Sequence, residues 1–246
     1  MERAEYELMN AVEDRMWWYQ GAHANALALY GIRRRHGASL AGLALDAGCG
    51  TGGLLTKLAA AAEVPPACGL DYAQRAAELA RAKSHRPVVV GTVNALPFQN
   101  ESLAAIFSMD VLCHRAADQD NALREAHRCL AKDGVLVINL PAYQWMHSIH
   151  DERVHNARRF TRREVIGLLR AAGFPEVHAS YWNMFLFPLM LLRRKLLPAS
   201  DKSDVQLYPA PIEAIFRGIL GVERGLMRLG VRLPFGGSII AVATKH

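Results

Sequence analysis

The feature that most constrains this chain is a regular alternation of short apolar stretches with stretches of helical periodicity. Strands that alternate with helices of about ten to fifteen residues form βαβ units, whose strands lie parallel in one sheet. The predicted strands cover residues 42–48, 67–71, 87–93, 102–110, 134–140, 176–182 and 237–245, and the predicted helices cover 52–63, 72–84, 119–131 and 161–174. We therefore predict an α/β fold with a doubly wound, mostly parallel, seven-stranded sheet.

The predicted domain organisation depends on the length of the chain and on where this pattern stops. A chain of 246 residues is within the range of one large α/β domain, so we predict a single domain over residues 1–246. Residues 1–38, before the first strand, are predicted to form a helical lid. A helical insertion is predicted at residues 184–234, between the last two strands. Its apolar residues at helical spacing are Ile212, Ile215, Phe216, Ile219, Val222, Leu226 and Leu229.

The composition and the order of charged and apolar residues indicate where in the cell the protein is expected. The amino-terminal residues are charged and lack the order of a signal peptide, so a cytoplasmic protein is expected. The longest apolar run, residues 184–192, contains Pro188 and is far shorter than the roughly 20 residues that cross a bilayer. The cysteines are not spaced as C-x-x-C pairs, so we expect neither a zinc site nor a disulfide framework. They are Cys49, Cys68, Cys113 and Cys129.

The sequence LDAGCGTGG, after the first predicted strand, fits two ligand-binding patterns. Gly48, Gly50 and Gly53 form G-x-G-x-x-G, which is typical of nicotinamide and flavin dinucleotide sites. Read from Asp46, the stretch is D-x-G-x-G-x-G, which favours S-adenosylmethionine. The Asp46 carboxylate would repel a pyrophosphate, whereas it would attract an ammonium and a sulfonium. Asp71, at the end of the second strand, suits either ligand because both need an acceptor for ribose hydroxyls.

Four stretches of the chain occur in the order and at the spacings of one protein family. They read LDAGCGTGGLLTKLA, GLDYAQRAAELARAK, GTVNALPFQNESLAAIFSMDVLCH and LREAHRCLAKDGVLVINLP. In these motifs, over about residues 40–182 and the last strand, the chain resembles the class I S-adenosylmethionine-dependent methyltransferases. It is most similar to their small-molecule, ubiquinone-biosynthesis-like (type 11) branch. The resemblance implies a Rossmann-like fold and S-adenosylmethionine as cofactor, and it is almost silent on the methyl acceptor.

The resemblance also implies roles for the residues around the glycine-rich turn. The residues that would line the methionine part of the cofactor are Asp46, Gly48, Gly50 and Gly52. Asp71 would bind the ribose hydroxyls. Simpler roles stay open, because glycines also permit a tight turn and Asp71 also suits the cap of the following helix.

Further positions are assigned to the cofactor by the same resemblance. Tyr72 would lie beside the adenine, and Met109 would close the pocket near the sulfonium, although core packing would also explain a methionine there. The family usually has an acidic residue at the position of Thr92, in contact with the adenine amino group. Here Thr92 or Asn94 would accept that hydrogen bond, or the backbone of Val93 would make the contact.

The loop after the fifth strand, residues 141–161, is the predicted location of the catalytic groups. A hydroxyl or phenol acceptor needs a base, and histidine is the usual one near neutral pH. We predict that His150 or His155 acts as this base, with Asp151 as an orienting carboxylate, and that the pair Arg158–Arg159 holds an anionic group of the substrate. Packed histidines and solvated arginines are the alternative. No metal site is predicted, because the histidine spacings fit no helix-borne ligand pattern.

Two segments outside the sheet are rich in apolar and aromatic residues. EDRMWWYQGAH, residues 13–23, is predicted either to fold over the cofactor as a lid or to lie against the sheet as a pinned helix. In residues 184–198, the apolar run is followed by Arg193, Arg194 and Lys195. This segment is predicted to contact a membrane surface, to cap a hydrophobic substrate pocket, to form a homodimer interface or to pack in the core. The first three interpretations favour an apolar acceptor.

We predict an S-adenosylmethionine-dependent methyltransferase that acts on a small, apolar or lipid-linked acceptor, most simply at oxygen. The alternatives are an NAD(P)-dependent oxidoreductase and a non-catalytic binding module of the same fold. A nucleic acid substrate is not expected, because SMDVLCH after the fourth strand lacks the Asn/Asp-Pro-Pro-aromatic turn of enzymes that methylate flipped bases.

Overall fold

The structure is a computed structural model, and it describes residues 3–37, 42–196 and 205–246. Within these residues, seven strands form one sheet at the centre of the molecule. The strands are β1 (Leu43–Ala47), β2 (Ala67–Asp71), β3 (Val88–Val90), β4 (Leu103–Met109), β5 (Leu130–Pro141), β6 (Glu176–Trp182) and β7 (Ser238–Thr244). Each predicted strand is confirmed, although β3 is shorter than predicted and β5 begins at Leu130 rather than at residue 134.

The topology of the sheet brings the ends of several strands together at one edge. The strand order is β3-β2-β1-β4-β5-β7-β6. Strands β1 to β5 pair in parallel, whereas β7 pairs antiparallel with both β5 and β6. The start of β7 therefore lies beside the carboxyl ends of its neighbours, with Ser238 opposite Pro141 and Trp182. Open sheets of this kind bind ligands at the carboxyl edge.

Helices connect these strands much as the sequence predicts. They are α1 (Arg3–Val12), α2 (Trp17–Arg35), α3 (Gly53–Ala60), α4 (Gln74–Ser84), α5 (Gln119–Cys129), α6 (Ile149–Arg153), α7 (Arg162–Ala171), α8 (Phe187–Leu196) and α9 (Ala210–Arg228). Helix α7 begins at a capping box: the Thr161 side chain accepts a hydrogen bond from the Glu164 amide, and the Glu164 carboxylate accepts one from the Thr161 amide.

The core lies along the central strands. Strands β1, β4, β5 and β7 are buried over nearly their whole lengths, which is typical of strands with both faces covered. Phe107, Phe160 and Trp182 are among the largest fully buried side chains. This apolar sheet is the rigid base on which the polar groups at its carboxyl edge are held.

The two helical segments outside the sheet pack against each other. Helices α1 and α2 form the amino-terminal segment, and α8 and α9 form the insertion between β6 and β7. Gly21 of α2 allows the close approach of α9, since a Cβ atom there would lie 2.3 Å from Cδ1 of Leu220. Residues 1–2, 38 and 197–204 of the two predicted segments lie outside the described residues. No helix in the described ranges is long and apolar enough to cross a membrane.

Candidate functional site

A cavity of about 490 Å³ opens at the carboxyl edge of the sheet. Its glycine-turn end is formed by Asp46, Gly48, Gly50, Asp71 and Tyr72. Its insertion end is formed by Asn183, Leu186, Leu189, Met190, Tyr208, Phe216 and Ser238. The cavity therefore joins residues that the sequence assigns to a cofactor with a largely apolar compartment.

The glycine-rich turn connects β1 to α3 through three glycines in the left-handed region, where residues with a side chain are strained. Their φ angles are 84° at Gly48, 52° at Gly50 and 92° at Gly52. Gly48 and Gly50 line the cavity. Gly52 instead packs against α4, since a Cβ atom there would lie 2.7 Å from Cα of Ala80. The three glycines thus keep one side of the turn open and hold its other side against α4.

The Asp46 carboxylate is buried at the glycine-turn end, with 1% of the residue exposed. It accepts a hydrogen bond from the Leu55 amide, but its Oδ2 atom has no partner among the residues that the structure describes. Burial, together with the carboxylates of Glu13 and Asp71, raises the pKa of Asp46 well above its usual range. An unmet buried acceptor costs roughly 1–3 kcal/mol, and more for a charged group. The residue therefore fits the ammonium group of S-adenosylmethionine, which would supply the missing donor.

Asp71 ties the glycine-rich turn to the end of β2. Its Oδ2 atom accepts a hydrogen bond from the Gly50 amide, and its Oδ1 atom accepts one from the Ala73 amide, both at 2.9 Å. Ala73 is the residue before the first turn of α4, and α4 has no side-chain cap, so Asp71 does not take the capping role that the sequence left open. Each carboxylate oxygen has two lone pairs, so Asp71 keeps acceptor capacity toward the cavity that it lines. Burial raises its pKa.

Helix α1 covers the glycine-rich turn. Met9 lies close to Gly50, with its Cε atom 2.8 Å from where a Cβ of that glycine would be. Glu13 is buried, accepts a hydrogen bond from the Thr51 hydroxyl and forms an ion pair with Lys83 at 2.5 Å. The sequence pointed to this segment as a lid, but it did not single out Met9 or Glu13.

The positions predicted for adenine and sulfonium contacts surround the same end of the cavity. Tyr72 is 48% exposed, and its ring centroid lies 5.6 Å from that of His114. Thr92, Val93 and Met109 also line the cavity. The side chain of Asn94 is committed elsewhere, because it donates to the Ala116 carbonyl and accepts from the Asp118 amide, both at 2.9 Å.

The loop over residues 141–161 is held by a buried ion pair. The Asp151 carboxylate is fully buried, lies 2.9 Å from Nη2 of Arg159 and caps α6 through the Ser148 amide. The sequence predicts that Asp151 orients a histidine and that Arg159 holds an anionic group of the substrate. In the structure these two side chains pair with each other. His150 lines the cavity. The ring of His155 lies 5.8 Å from that of His114.

Asp110, which the sequence prediction missed, lies directly after β4 and lines the cavity beside Met109. Its backbone has a φ of 56°, a conformation common at functional sites. Asn139 Nδ2 donates to both carboxylate oxygens at 3.1 Å, and Asn139 Oδ1 accepts from Trp182 Nε1 at 2.7 Å. Burial raises the pKa of Asp110 to about 7. The sequence could have indicated Asp110, because it is an acidic residue at the carboxyl end of a predicted buried strand.

His23 is a second cavity residue that the sequence prediction did not single out. It lies on α2 and is 6% exposed, and its Nδ1 atom has no hydrogen-bond partner in the described part of the chain. Burial and the charges of Lys57 and Lys83 lower its pKa to about 3, so the ring is neutral near neutral pH. No three described His, Cys, Asp or Glu side chains lie close enough together to hold a metal ion.

The fold and the site define a class of protein. This strand order, with an antiparallel seventh strand and a glycine-rich turn after β1, is that of the class I methyltransferases. Residues 45–138 match the family model described as a methyltransferase domain. The match confirms the predicted family and cofactor, S-adenosylmethionine, rather than a dinucleotide.

A curated relative shares sequence identity with part of the chain. An uncharacterized protein of Methanocaldococcus jannaschii is 38% identical over 97 residues, which are 39% of this chain and 36% of that protein. The match therefore spans little more than a third of the relative's length.

Solved structures resemble the whole fold. A S-adenosylmethionine-dependent methyltransferase of Thermotoga maritima, described as a possible histamine N-methyltransferase, has a TM-score of 0.60 and 23% identity over 99% of this chain and 95% of that chain. A methyltransferase in complex with the Trm112 methyltransferase activator of Haloferax volcanii has a TM-score of 0.60 and 19% identity over 100% of both chains. At these identities the similarity concerns the fold alone.

Proposed function

We propose that this protein transfers a methyl group from S-adenosylmethionine to a small, apolar acceptor, most simply at an oxygen atom. The observation that carries the proposal is one cavity that extends from the buried Asp46 carboxylate to the apolar insertion end. Methyl transfer requires that the acceptor approach the methyl group in line with the bond that breaks. A cavity with a polar end and an apolar end is suited to hold both molecules side by side.

The glycine-turn end is proposed to hold the cofactor. Asp46 Oδ2 would accept a hydrogen bond from its ammonium group, and Asp71 would accept hydrogen bonds from its ribose hydroxyls. Gly48 and Gly50 would leave room for the methionine part, while Gly52 holds the turn against α4. Tyr72, Thr92, Val93 and Met109 are proposed to contact the adenine and sulfonium.

Asp110 is proposed as the base. When bound, S-adenosylmethionine would supply an electrophilic methyl group to the acceptor oxygen and would leave as S-adenosylhomocysteine. The proton of the acceptor hydroxyl would pass to the Asp110 carboxylate, which lines the cavity next to Met109. A pKa of about 7 suits this role, because the group is then substantially ionised and still basic near neutral pH. Asn139, itself oriented by Trp182, would hold the carboxylate in position.

His150 is the second candidate base, because it also lines the cavity. Asp151 and Arg159 are proposed to support it indirectly, by fixing the loop through their ion pair. His155, the other histidine that the sequence predicts as a base, stays a prediction.

An apolar acceptor is supported by the surface around the insertion end. Leu189 lines the cavity and is 51% exposed, and Phe185 and Leu192 are 49% and 47% exposed. This face would admit an apolar or lipid-linked molecule, and it supports the predicted contact of residues 184–198 with a membrane surface. The structure describes the backbone of Arg194 and Lys195 but not their side chains. The homodimer stays a prediction.

Calorimetric titration of the purified protein with S-adenosylmethionine, S-adenosylhomocysteine, NADH and NADPH tests the proposal. We expect micromolar binding of the first two alone. Binding of a nicotinamide cofactor alone would overturn the proposal, and binding of none of the four would favour a non-catalytic module. Transfer of a labelled methyl group to a panel of apolar alcohols and phenols, with amines for comparison, then tests the reaction at oxygen.

A further inference from the structure

A buried carboxamide at the insertion end has an unmet hydrogen-bond acceptor. Asn183 directly follows β6, lines the cavity and is 2% exposed. Its Oδ1 atom has no hydrogen-bond partner within residues 3–37, 42–196 and 205–246. Buried amide oxygens are nearly always hydrogen-bonded. Since the neighbouring wall includes Leu186, Met190 and Phe216, the natural donor is a molecule in the cavity.

The turn that presents Asn183 is held by a buried carboxylate. Asn183 has a φ of 59°, in the left-handed region that asparagine tolerates better than most residues. Glu223 of α9 is fully buried and accepts hydrogen bonds from the Asn183 amide at 2.6 Å and the Phe185 amide at 2.8 Å. Burying a carboxylate is unfavourable unless it is well hydrogen-bonded. Glu223 therefore acts as a positioning residue that fixes the backbone beneath the carboxamide.

Asn183 also has a fixed relation to the proposed base. The preceding residue, Trp182, donates a hydrogen bond to Asn139, and Asn139 donates to Asp110. This chain crosses the carboxyl edge from β6 to β4, so the carboxamide and the carboxylate are held by the same rigid network. Asn183 and Asp110 thus line the same cavity and are joined through this network.

We propose that Asn183 determines acceptor specificity, because its Oδ1 atom accepts a hydrogen bond from a hydroxyl or N–H group of an otherwise apolar methyl acceptor. The inference rests on the proposed function and narrows its substrate class. A molecule without a donor would leave the buried oxygen unmet, and sites built to bind a donor reject analogues that lack it. Acceptors with a hydroxyl, phenol or amine are therefore preferred over ethers and hydrocarbons of the same shape.

The test compares a matched set of probes: 4-butylphenol, its methyl ether and butylbenzene. Their binding to the full chain is measured calorimetrically with saturating S-adenosylhomocysteine, so that no transfer occurs. We expect wild-type protein to bind the phenol at least tenfold more tightly than the ether. Equal binding of phenol and ether, or binding of neither while S-adenosylhomocysteine binds, would overturn the inference.

Two substitutions at the same position assign the preference to the side chain. Asn183→Gly keeps the left-handed backbone and removes the carboxamide, so the phenol-to-ether ratio should fall at least about fivefold from its wild-type value, with any remaining preference due to Asp110. Asn183→Asp keeps an acceptor oxygen and should retain the preference. A ratio unchanged in Asn183→Gly would contradict the role of the carboxamide.

Matched variants separate this role from a general loss of structure. Asp133 also has a positive φ, 60°, but does not line the cavity, so Asp133→Gly should leave the ratio unchanged. Glu223→Gln should lower the ratio without changing the affinity for S-adenosylhomocysteine, because it disturbs the turn and not the glycine-turn end. Lack of S-adenosylhomocysteine binding by wild-type protein would overturn the proposed function, whereas the phenol-to-ether ratio tests Asn183 independently.

Discussion

The two ends of the cavity are built in different ways. The glycine-turn end comes from β1, β2 and the turns that follow them, so its main residues lie close together in sequence. The insertion end combines the turn after β6, α8, α9 with the residues before it, and the start of β7. A cofactor shared by many enzymes can be bound by a local motif. A compartment for a particular acceptor depends instead on how distant segments meet.

Buried glutamates of α9 hold the insertion end together. Glu213 accepts hydrogen bonds from the Trp17 amide at 2.6 Å and the Tyr208 amide at 3.0 Å. Helix α2 begins at Trp17 with no side-chain cap from Met16, so Glu213 satisfies that amide from another helix. Glu223 does the same for the turn after β6. At the glycine-turn end, Asp71 has the equivalent role within its own local motif.

The largest expected effect lies where the two ends meet. Asp110→Asn removes the proposed base while keeping its shape, so we expect the rate of methyl transfer to fall by about 10²–10⁴-fold. Affinity for S-adenosylmethionine should stay within about twofold. In wild-type protein the rate should rise as the pH increases through about 7, where the carboxylate loses its proton, and this rise should disappear in the variant. Single-turnover measurements across pH would check it, and an unaltered rate would transfer the role to His150.

Removing the Asp71 carboxylate should affect the glycine-turn end of the cavity and not the insertion end. Asp71→Ala is expected to reduce S-adenosylmethionine affinity at least tenfold, since each charge-assisted hydrogen bond contributes about 1.5–3 kcal/mol. It also leaves the Gly50 and Ala73 amides without their acceptor, so unfolding by urea should require less denaturant. Calorimetry and denaturation together test this, and unchanged affinity would refute the assignment to the ribose.

A smaller loss of affinity for S-adenosylmethionine is expected for Asp46→Asn. The variant keeps an oxygen for the cofactor ammonium but loses the charge, so affinity should fall about tenfold. Because burial raises the pKa of Asp46 in the free protein, a cationic ligand would shift the carboxyl toward its ionised form and release a proton. Wild-type affinity should therefore increase with pH, with a weaker dependence in the variant. Titrations in buffers of different ionisation heat measure the released proton, and identical proton release would contradict this.

The smallest effect is expected in α9. Among the described residues, a Cβ atom at Gly225 would have no neighbour within 4 Å, and glycine in a helix interior costs about 0.5–1 kcal/mol relative to alanine. Gly225→Ala should raise the free energy of unfolding by about that amount and leave cofactor affinity unchanged. Equilibrium unfolding in urea checks the stability. A changed affinity would show that the two ends are not independent.

Much of the fold and of the cofactor motif could be predicted from the sequence because their signals are local. The strands are short apolar runs, and Asp46, the glycines and Asp71 stand at fixed distances from strand ends. Asp110 had a local signal as well, since it lies in SMDVLCH directly after β4. His23 lies in the segment predicted as a lid, and Asn183 directly follows a predicted strand, but nothing in the sequence separated either residue from its neighbours as one that lines the cavity.

The sequence by itself determined the order of strands and helices, the glycine-rich turn and the family, since these depend on periodicity and on residues that are neighbours along the chain. Only the tertiary structure decided that Asp151 pairs with Arg159, that Glu213 and Glu223 hold distant backbone amides, and that Asn183 faces the cavity. The physical reason is that a buried polar group must find a partner in space. Which group that partner is depends on packing between segments far apart in sequence.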